Sequence, residues 1–284
     1  MKESRSNLEV LIAAQNLGIA NQNLGEESVL PEIAEQLISS NIDGLIINQK
    51  SASAAQNTQA EDSDLASNGI RIISFAEKGI AQSRNRALEL AHGDYLLITD
   101  DDVSVLANMK ETIIESFKAY PEADLITFQS LDENGQQRKV YSERSYWHSK
   151  RSLLQVSSIE IAIKRSSWRK DPVYLDARFG LGSLFPTGEE SIFLTDLYNR
   201  GWKMRYVPKA IVQHPNASSG RALFHNENLI MAKGAMIARI FGWRAAFIAF
   251  LFALKKRKEM GYGLFQSFRL LSEGINAFKR TDDE

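Results

Sequence analysis

The sequence contains no cysteine, and only six prolines and four histidines occur among its 284 residues. The absence of cysteine excludes disulfides and thiolate metal sites, and nothing argues for an oxidising compartment. No run of consecutive apolar residues reaches the roughly 18 needed to span a bilayer. The polar segment 1–9 lacks the apolar core of a signal peptide. These absences lead us to expect a cytoplasmic protein.

The net charge is −1, so no global field points to nucleic acid as a partner. Hydrophobic residues make up 44% of the chain and charged residues 24%, which is ordinary globular composition. The charge is unevenly distributed, because residues 221–284 carry 11 basic and 6 acidic side chains, a net charge of +5. The preceding residues therefore carry a net charge of −6.

Apolar runs alternate with helical periodicities along the first half of the chain, which is typical of an α/β fold with a mostly parallel, doubly wound sheet. The pattern predicts strands over 8–14, 44–48, 70–75, 95–99 and 124–129, helices over 30–39, 80–92 and 105–120, and a loop over 50–69. Beyond residue 155 it predicts a longer strand over 156–164, a loop over 174–187, a helix over 191–201, a strand over 203–207, and two or three helices within 224–279.

The most informative feature is the junction at which the apolar run 96–98 ends in Asp100, Asp101 and Asp102. Ligands of open α/β sheets bind outside the carboxyl ends of the strands, and residues two apart in extended backbone point the same way. Asp100 and Asp102 are therefore candidates for binding a divalent cation, which would relieve their mutual repulsion. A solvated acidic turn that caps the following helix is the alternative interpretation.

Three further segments have two interpretations each. The segment 78–86 places glycine, serine and two arginines at a helix start, which suits an anion or a solvated basic surface. Glu189 and Glu190 precede an apolar helix, where a carboxylate serves as a general base or complements the helix dipole. His214 closes an apolar run and is either structural or a metal ligand.

Taken together, the order and spacing of these segments resemble glycosyltransferase family 2, the inverting nucleotide-sugar transferases of GT-A fold. Residues 79–102 look like the family's G-x-x-x-x-R-N, helix, glycine, strand and D-x-D segment. Residues 179–182, 188–193, 201–202, 206–208 and 214–215 follow its acceptor-side pattern. The resemblance covers about residues 8–215. It implies a Rossmann-like, mostly parallel central sheet flanked by helices, with a C-terminal helical extension.

The resemblance also implies a domain division. Residues 1–220 would form the GT-A catalytic domain, with a nucleotide-binding half over about 1–129 and an acceptor half over about 130–220. Residues 221–284 would form the helical extension. The glycine- and serine-rich stretch 216–220 is a candidate for a mobile lid.

Residue roles follow from the same resemblance. Asp100 and Asp102 would hold Mn²⁺ or Mg²⁺ against the donor diphosphate, with Asp102 the more direct ligand, and His214 would complete the metal site. Glu190 would be the catalytic base, and Glu189 would orient the acceptor or support the base. The residues implied in binding the nucleotide sugar are Ala14, Asn16, Asn48, Lys78, Arg84, Asn85, Asp100 and Asp101.

Two departures from the family pattern alter nucleotide recognition. Residues 13–16 read Ala-Ala-Gln-Asn where the family has Pro-Thr-Tyr-Asn, and residues 48–51 read Asn-Gln-Lys-Ser where it has an Asp-Asp-Gly-Ser-like turn. Asparagine still hydrogen-bonds a base edge but carries no charge. A UDP-sugar is the leading candidate for the donor among nucleotide-diphosphate sugars.

The predicted function is metal-dependent inverting transfer of a sugar to a glycan or lipid-linked hydroxyl, in bacterial surface polysaccharide synthesis, by a hexosyltransferase-like enzyme of the EC 2.4 class. The alternative is a non-catalytic glycan- or membrane-binding relative with a degenerate donor site. A nucleotidyltransferase is disfavoured, because residues 15–25 lack a convincing glycine-rich phosphate loop.

The segment 241–258 is a second candidate for an interaction. Ten apolar residues, 245–254, are flanked by Arg244 and by four basic residues. Ten residues are too few to span a bilayer, but they suit a helix lying in an anionic membrane interface. This predicts a peripheral position on the inner face of the plasma membrane, and the alternative is a helix packed on the catalytic domain.

Overall fold

The structure is a computed structural model, and it describes residues 7–15, 17, 30–50, 62–65, 69–215 and 226–282. The chain forms two compact units. The first consists of residues 1–78, 82–174 and 197–216, and the second of residues 79–81, 175–196 and 217–284.

The described strands all belong to one sheet in the first unit. They are β1 (Leu8–Gln15), β2 (Asp43–Gln49), β3 (Asp62–Leu65), β4 (Ile70–Phe75), β5 (Tyr95–Asp100), β6 (Ser104–Val105), β7 (Leu125–Leu131), β8 (Tyr146–Trp147), β9 (Ile161–Lys164) and β10 (Met204–Gln213). Their spatial order is β3-β4-β2-β1-β5-β9-β7-β10-β6, and β8 pairs with β10.

Helices connect these strands and form the C-terminal part of the chain. They are α1 (Glu32–Ser39), α2 (Ile80–Leu90), α3 (Met109–Ala119), α4 (Lys150–Leu153), α5 (Arg165–Lys170), α6 (Glu189–Asn199), α7 (Glu227–Phe241), α8 (Ala245–Met260) and α9 (Leu264–Asp282). Short 3-10 turns lie at Ser158–Glu160 and Gly242–Arg244.

Strands β4, β2, β1 and β5 form a parallel block whose central residues are buried, and β9 joins this block antiparallel to β5. Strand β1 pairs in parallel with β2 on one side and β5 on the other, and β2 pairs in parallel with β4. Such strands read as continuous apolar runs because both faces are covered. In β5, Leu96 and Leu97 are 0% exposed and Ile98 is 2% exposed. The predicted α/β class with a mostly parallel central sheet is confirmed.

Most predicted elements lie within two residues of the observed ones, but four predictions were wrong. The predicted helix over 105–120 begins only at Met109, because Val105 belongs to β6 and pairs with β10. The predicted strand over 156–164 is a strand only over β9, because its first half forms the 3-10 turn Ser158–Glu160. Glu160 accepts a hydrogen bond from the Ser157 backbone N–H at 3.1 Å, the capping-box arrangement that begins a helix. The predicted loop over 50–69 contains β3, which pairs antiparallel with β4. The predicted short strand over 203–207 extends to Gln213 as β10.

The second unit has a helical core of its own. Helices α7 and α9 cross where Gly234 and Gly274 meet: a Cβ atom on Gly234 would lie 2.0 Å from the Leu271 carbonyl oxygen, and one on Gly274 would lie 1.8 Å from that of Met231. Glycine is therefore required at both positions, because any larger residue would force the two backbones apart.

The helical segment Glu227–Met260 is long and apolar enough to cross a membrane by length and composition alone. The expectation from consecutive apolar residues missed this segment, because Arg239 and Arg244 interrupt its apolar runs. Only 28% of its most apolar part is buried inside the protein.

Candidate active site

The carboxyl ends of the parallel strands bring several predicted site residues into register in the first unit. Ala13 of β1 lies opposite Asp100 of β5, and Ala14 lies opposite Asn48 of β2. Asn48 in turn lies opposite Ser74 of β4. This edge of the sheet is where ligands of open α/β folds bind.

Asp100, Asp102 and His214 form a cluster at this edge, with one potential ligand atom from each lying within 4.8 Å of the others. The pairing of β10 with the short strand β6 brings His214 to this edge of the sheet. Strand β10 pairs antiparallel with β6, with Gln213 opposite Ser104, so the residue after β10 comes next to the turn that follows β5. His214 Nε2 lies 3.3 Å from Asp102 Oδ1.

The His214 ring is oriented through its other nitrogen, since Nδ1–H donates to the Pro215 carbonyl oxygen at 2.8 Å. That arrangement directs Nε2 toward the carboxylates, as in metal-binding histidines. The hydrogen bond with Asp102 raises the pKa of His214 and lowers the pKa of Asp102. Burial, together with the charge of Asp102, raises the pKa of Asp101.

Arg84 of α2 binds the cluster through Asp100. Its side chain is 4% exposed, and its guanidinium donates to Asp100 Oδ1 at 2.7 Å and to Ser158 Oγ at 2.9 Å. A buried charge-assisted hydrogen bond of this kind fixes the carboxylate that accepts it. Arg84 therefore positions Asp100, and its predicted contact with the nucleotide stays a prediction.

The structure describes most, but not all, of the other residues predicted to bind the nucleotide sugar. Asn48 is fully buried and holds the Leu17 backbone, accepting from its N–H at 3.0 Å. Asn85 is half-buried on α2, and Lys78 is exposed just before it. Asn16 and the predicted lid 216–220 lie outside the described residues. The nucleotide-binding roles of these residues stay predictions.

Sequence reasoning missed two residues that act on the cluster. Ser158 shares the Arg84 guanidinium with Asp100. Arg138, in the loop after β7, contributes positive charge that adds to the lowering of the pKa of Asp102 by its hydrogen bond with His214 and partly opposes the rise in the pKa of His214. A lone arginine in a polar loop gives no signal of this role in the sequence.

Glu189 and Glu190 belong to the second unit and begin α6. Glu189 is 8% exposed, whereas Glu190 is half-buried. Gly180, at a φ of 100°, packs so closely on Glu189 that a Cβ atom there would lie 3.1 Å from the Glu189 carboxyl carbon. The glycine-rich stretch before α6 therefore sets the position of the Glu189 side chain.

Helix α7 contributes a basic residue near this acid pair. Gly188 has a φ of 96°, and a Cβ atom there would lie 2.8 Å from Met236 Cγ. The half-buried Lys233, one turn earlier on α7, has its ammonium 3.6 Å from Met236 Sδ. Burial lowers the pKa of Lys233, and the charges of Glu190 and Glu189 oppose that shift. Sequence reasoning did not anticipate Lys233.

A comparison of the sequence with models of protein families identifies the family of this chain. The model of glycosyl transferase family 2 matches residues 22–174, more than half of the chain. The chain belongs to glycosyltransferase family 2. No curated protein matches it in sequence. The predicted family is confirmed, and the assignment of Asp100 and Asp102 to the D-x-D motif of that family stays a prediction.

Solved structures agree on the fold of this family 2 member. Staphylococcus aureus TarS 1–349 in complex with UDP-GlcNAc is 12% identical, with a TM-score of 0.55 over 96% of this chain and 83% of that one. The complex of the same fragment with UDP gives 12% identity and a TM-score of 0.54 over 93% and 75%. These likenesses show that the fold is GT-A.

The potential ligand atoms of the Asp100–Asp102–His214 cluster fit a divalent cation. Two carboxylate oxygens with one imidazole nitrogen suit Mn²⁺, whereas Mg²⁺ prefers oxygen ligands alone. The described residues of the second unit offer a different chemistry, since the start of α6 presents two carboxylates beside a lysine. The first arrangement suits a cation and a phosphate, and the second suits proton transfer.

Proposed function

We propose that this chain is a metal-dependent inverting glycosyltransferase. It would move a hexose-like sugar from a nucleotide-diphosphate donor to a hydroxyl of a glycan or lipid-linked acceptor in bacterial surface polysaccharide synthesis. The observation that supports it most is the Asp100–Asp102–His214 cluster at the end of the central strand of a family 2 fold. Its place would be cytoplasmic, peripheral on the inner face of the plasma membrane.

Asp100, Asp102 and His214 would hold Mn²⁺ or Mg²⁺. When bound, the cation supplies Lewis-acid stabilisation of the negative charge on the departing nucleoside diphosphate. Asp102, being 59% exposed, is the carboxylate most open to the donor. Asp100 is held by Arg84 and forms the fixed side of the site.

Glu190 would take the proton from the acceptor hydroxyl as its oxygen attacks the anomeric carbon. The bond from that carbon to the diphosphate oxygen breaks on the opposite side, so the configuration at the anomeric carbon inverts. A general base typically contributes 10²–10⁴-fold to such a step. Glu189, held by Gly180, would orient the acceptor.

The donor is best sought among uridine nucleotides, because structural neighbours of the same fold were crystallised with UDP and with UDP-GlcNAc. The test is a thermal-shift panel of UDP-, GDP-, CDP- and TDP-sugars, each with Mn²⁺ and with EDTA. Ligand at about 100-fold above its Kd stabilises the folded state by roughly 2.7 kcal/mol. We expect one nucleotide to stabilise the protein with Mn²⁺ only; stabilisation that survives EDTA would contradict metal dependence.

The base is tested by Glu190→Gln, which removes the proton acceptor and keeps the shape. We expect the variant to bind the donor with unchanged affinity while transfer falls by about 10³-fold. Glu227→Gln, an exposed glutamate of the same unit, is the matched control. Wild-type turnover in Glu190→Gln would remove Glu190 as the base. Proton NMR of the product gives the anomeric configuration, and retention would contradict inversion.

A non-catalytic glycan- or membrane-binding relative is the second candidate. It is favoured by Asn48, which stands where family members carry acid and whose side chain is bonded to the Leu17 backbone. This candidate predicts no stabilisation by any nucleotide sugar in the same panel, so one experiment separates the two functions.

A further inference from the structure

Helix α8 buries a stripe of alanines and exposes four of its large apolar residues, while Ile248 and Phe252 are half-buried against the core. Ala245, Ala249 and Ala253, spaced four apart, form a stripe in the core of the second unit. The exposed large apolar residues of this region, which we call the aromatic face, are Trp243, Phe247, Phe250, Leu251, Leu254 and Phe265. This pattern is the reverse of an ordinary amphipathic helix, whose large apolar residues face the core.

The aromatic face is continuous. An α-helix turns about 100° per residue, so the four members within α8 occupy an arc of about 100° opposite the alanine stripe. Trp243 and Phe265 are each 87% exposed. Phe265 lies three residues before Phe268, whose ring packs edge-on against Phe250 at 5.8 Å between centroids. Phe265 therefore extends the same surface along α9.

Basic residues border the aromatic face at both ends. Arg244 stacks its guanidinium 4.8 Å from the Trp243 ring centroid at the start of α8. Lys255, Arg257 and Lys258, all exposed, follow its last apolar turn. Aromatic side chains enclosed by positive charge match the boundary between acyl chains and anionic headgroups.

We propose that α8 and the start of α9 bind an anionic lipid bilayer, with the aromatic face inserted in the interface. A second copy of the chain fits less well. A parallel pair of α8 helices would place the clusters of Lys255, Arg257 and Lys258 against each other, and an antiparallel pair would place each cluster against Arg244. Anionic lipid meets the same charges with opposite sign.

The geometry favours a helix lying in the membrane plane over one crossing it. Gly242, with a φ of 54°, and the 3-10 turn after it interrupt the apolar segment between α7 and α8. Helix α7 contributes its buried side chains to the core of the second unit. The 16 residues of α8 span only about 24 Å, less than the hydrocarbon core of about 30 Å.

Vesicle sedimentation of the full chain tests the proposal. We expect binding to vesicles of phosphatidylcholine with roughly one-third phosphatidylglycerol to be at least about tenfold tighter than binding to phosphatidylcholine alone, and to weaken with salt. The variant Trp243→Ser/Phe247→Ser/Phe265→Ser should lose binding by at least about tenfold. Lys255→Glu/Arg257→Glu/Lys258→Glu should lose the preference for anionic lipid.

Matched controls keep the test specific. Val140→Ser/Tyr198→Ser removes exposed apolar residues elsewhere, and Lys118→Glu/Lys170→Glu/Lys209→Glu reverses exposed charges elsewhere. Both should bind as the wild type does, and circular dichroism checks that all variants are folded. No binding of the wild type to anionic vesicles, or equal losses in the controls, would overturn the proposal.

Two further outcomes are distinguishable. A dimer that the aromatic variant abolishes, without vesicle binding, would assign the face to a second copy. Quenching of Trp243 fluorescence by brominated lipid, with Trp243→Phe as the blank, should be stronger with bromine near the headgroup than near the chain end; the reverse would indicate a spanning helix. The experiment needs neither donor nor metal, so it is independent of the proposed transfer.

Discussion

The first unit contains two clusters that each combine a carboxylate with a basic residue, and the clusters differ in how far their carboxylate oxygens are satisfied by hydrogen bonds within the protein. In the strand-end cluster, Asp102 is 59% exposed and its neighbour is a histidine that hydrogen-bonds only one of its oxygens. In the second cluster, which we call the Glu160 cluster, Glu160 is 2% exposed and accepts hydrogen bonds from three neighbouring side chains.

Glu160 accepts from Lys139 Nζ at 2.8 Å, from the Tyr141 hydroxyl at 2.6 Å and from Ser130 Oγ at 3.1 Å. Burial raises the pKa of Tyr141, which keeps its hydroxyl protonated as a donor. A saturated polar cluster stabilises the fold, whereas one with acceptors left open is available to a ligand. The comparison therefore predicts opposite consequences of mutation.

The largest effect is expected from Asp102→Asn. Loss of a cation ligand should lower transfer, measured as release of nucleoside diphosphate, by about 10³-fold or more, because the leaving group then loses its stabilisation. The free energy of unfolding in urea should stay within about 0.5 kcal/mol of the wild type, since Asp102 is exposed. Glu122→Gln, at an exposed position of the same unit, is the control. Full activity with Mn²⁺ in Asp102→Asn would remove the residue as a ligand.

Glu160→Gln should show the reverse pattern. Removing the charge of the buried Glu160 leaves Lys139, whose side chain is 31% exposed, without its counter-charge. The change should cost about 3 kcal/mol of unfolding free energy, with transfer per folded molecule almost unchanged. Adding Lys139→Met should restore part of the loss. A stable but inactive Glu160→Gln would show instead that this cluster serves catalysis.

His148, whose pKa is influenced by burial and by the charge of Lys139 in the Glu160 cluster, provides a pH test of this region. Its ring nitrogens bond Thr127 Oγ1 at 2.7 Å and Ser152 Oγ at 3.0 Å, and burial lowers the pKa of His148 to about 4. The unfolded chain binds this proton near pH 6.5 and the folded chain does not, so stability falls as the pH drops through that window. Between pH 7 and pH 4.5 we expect the group to remove roughly 2 kcal/mol.

Urea titrations of the wild type and His148→Gln at both pH values isolate this contribution, because all other groups are shared. The variant should lose less stability on acidification than the wild type does. Identical losses would mean that His148 is protonated in the folded protein.

The acid pair of α6 is an intermediate case, because Lys233 is near both carboxylates. Lys233→Met should lower transfer by about tenfold or less and move the acidic limb of the pH–rate profile to higher pH, since losing a cation disfavours the ionised base. Lys279→Met, exposed on α9, is the control. A reduced rate with an unmoved profile would make Lys233 purely structural.

The sequence was most informative where one local pattern determines position. The apolar run before Asp100 predicted both the buried strand β5 and the place of the carboxylates at its end. The side-by-side placement of Asp102 and His214 rests on β6, a two-residue strand too short to leave a periodicity. The orientation of Arg84 toward Asp100 depends on how α2 packs, which helix periodicity does not specify. Ser158 and Glu160 fall within the strand predicted over 156–164, but the local capping box of Ser157 and Glu160 forms a 3-10 turn there instead.

The glycine crossing of α7 and α9 has a consequence for protein engineering. Removing α9 would take away the backbone against which α7 packs. Met236 of α7 contacts Gly188, the residue immediately before Glu189 and Glu190, so the loss of α9 would also disturb this acid pair. The C-terminal helices are therefore expected to be required for the structure around Glu189 and Glu190. Shortening the chain at Gly261 to improve its yield should therefore lower transfer as well as weaken the lipid binding proposed above.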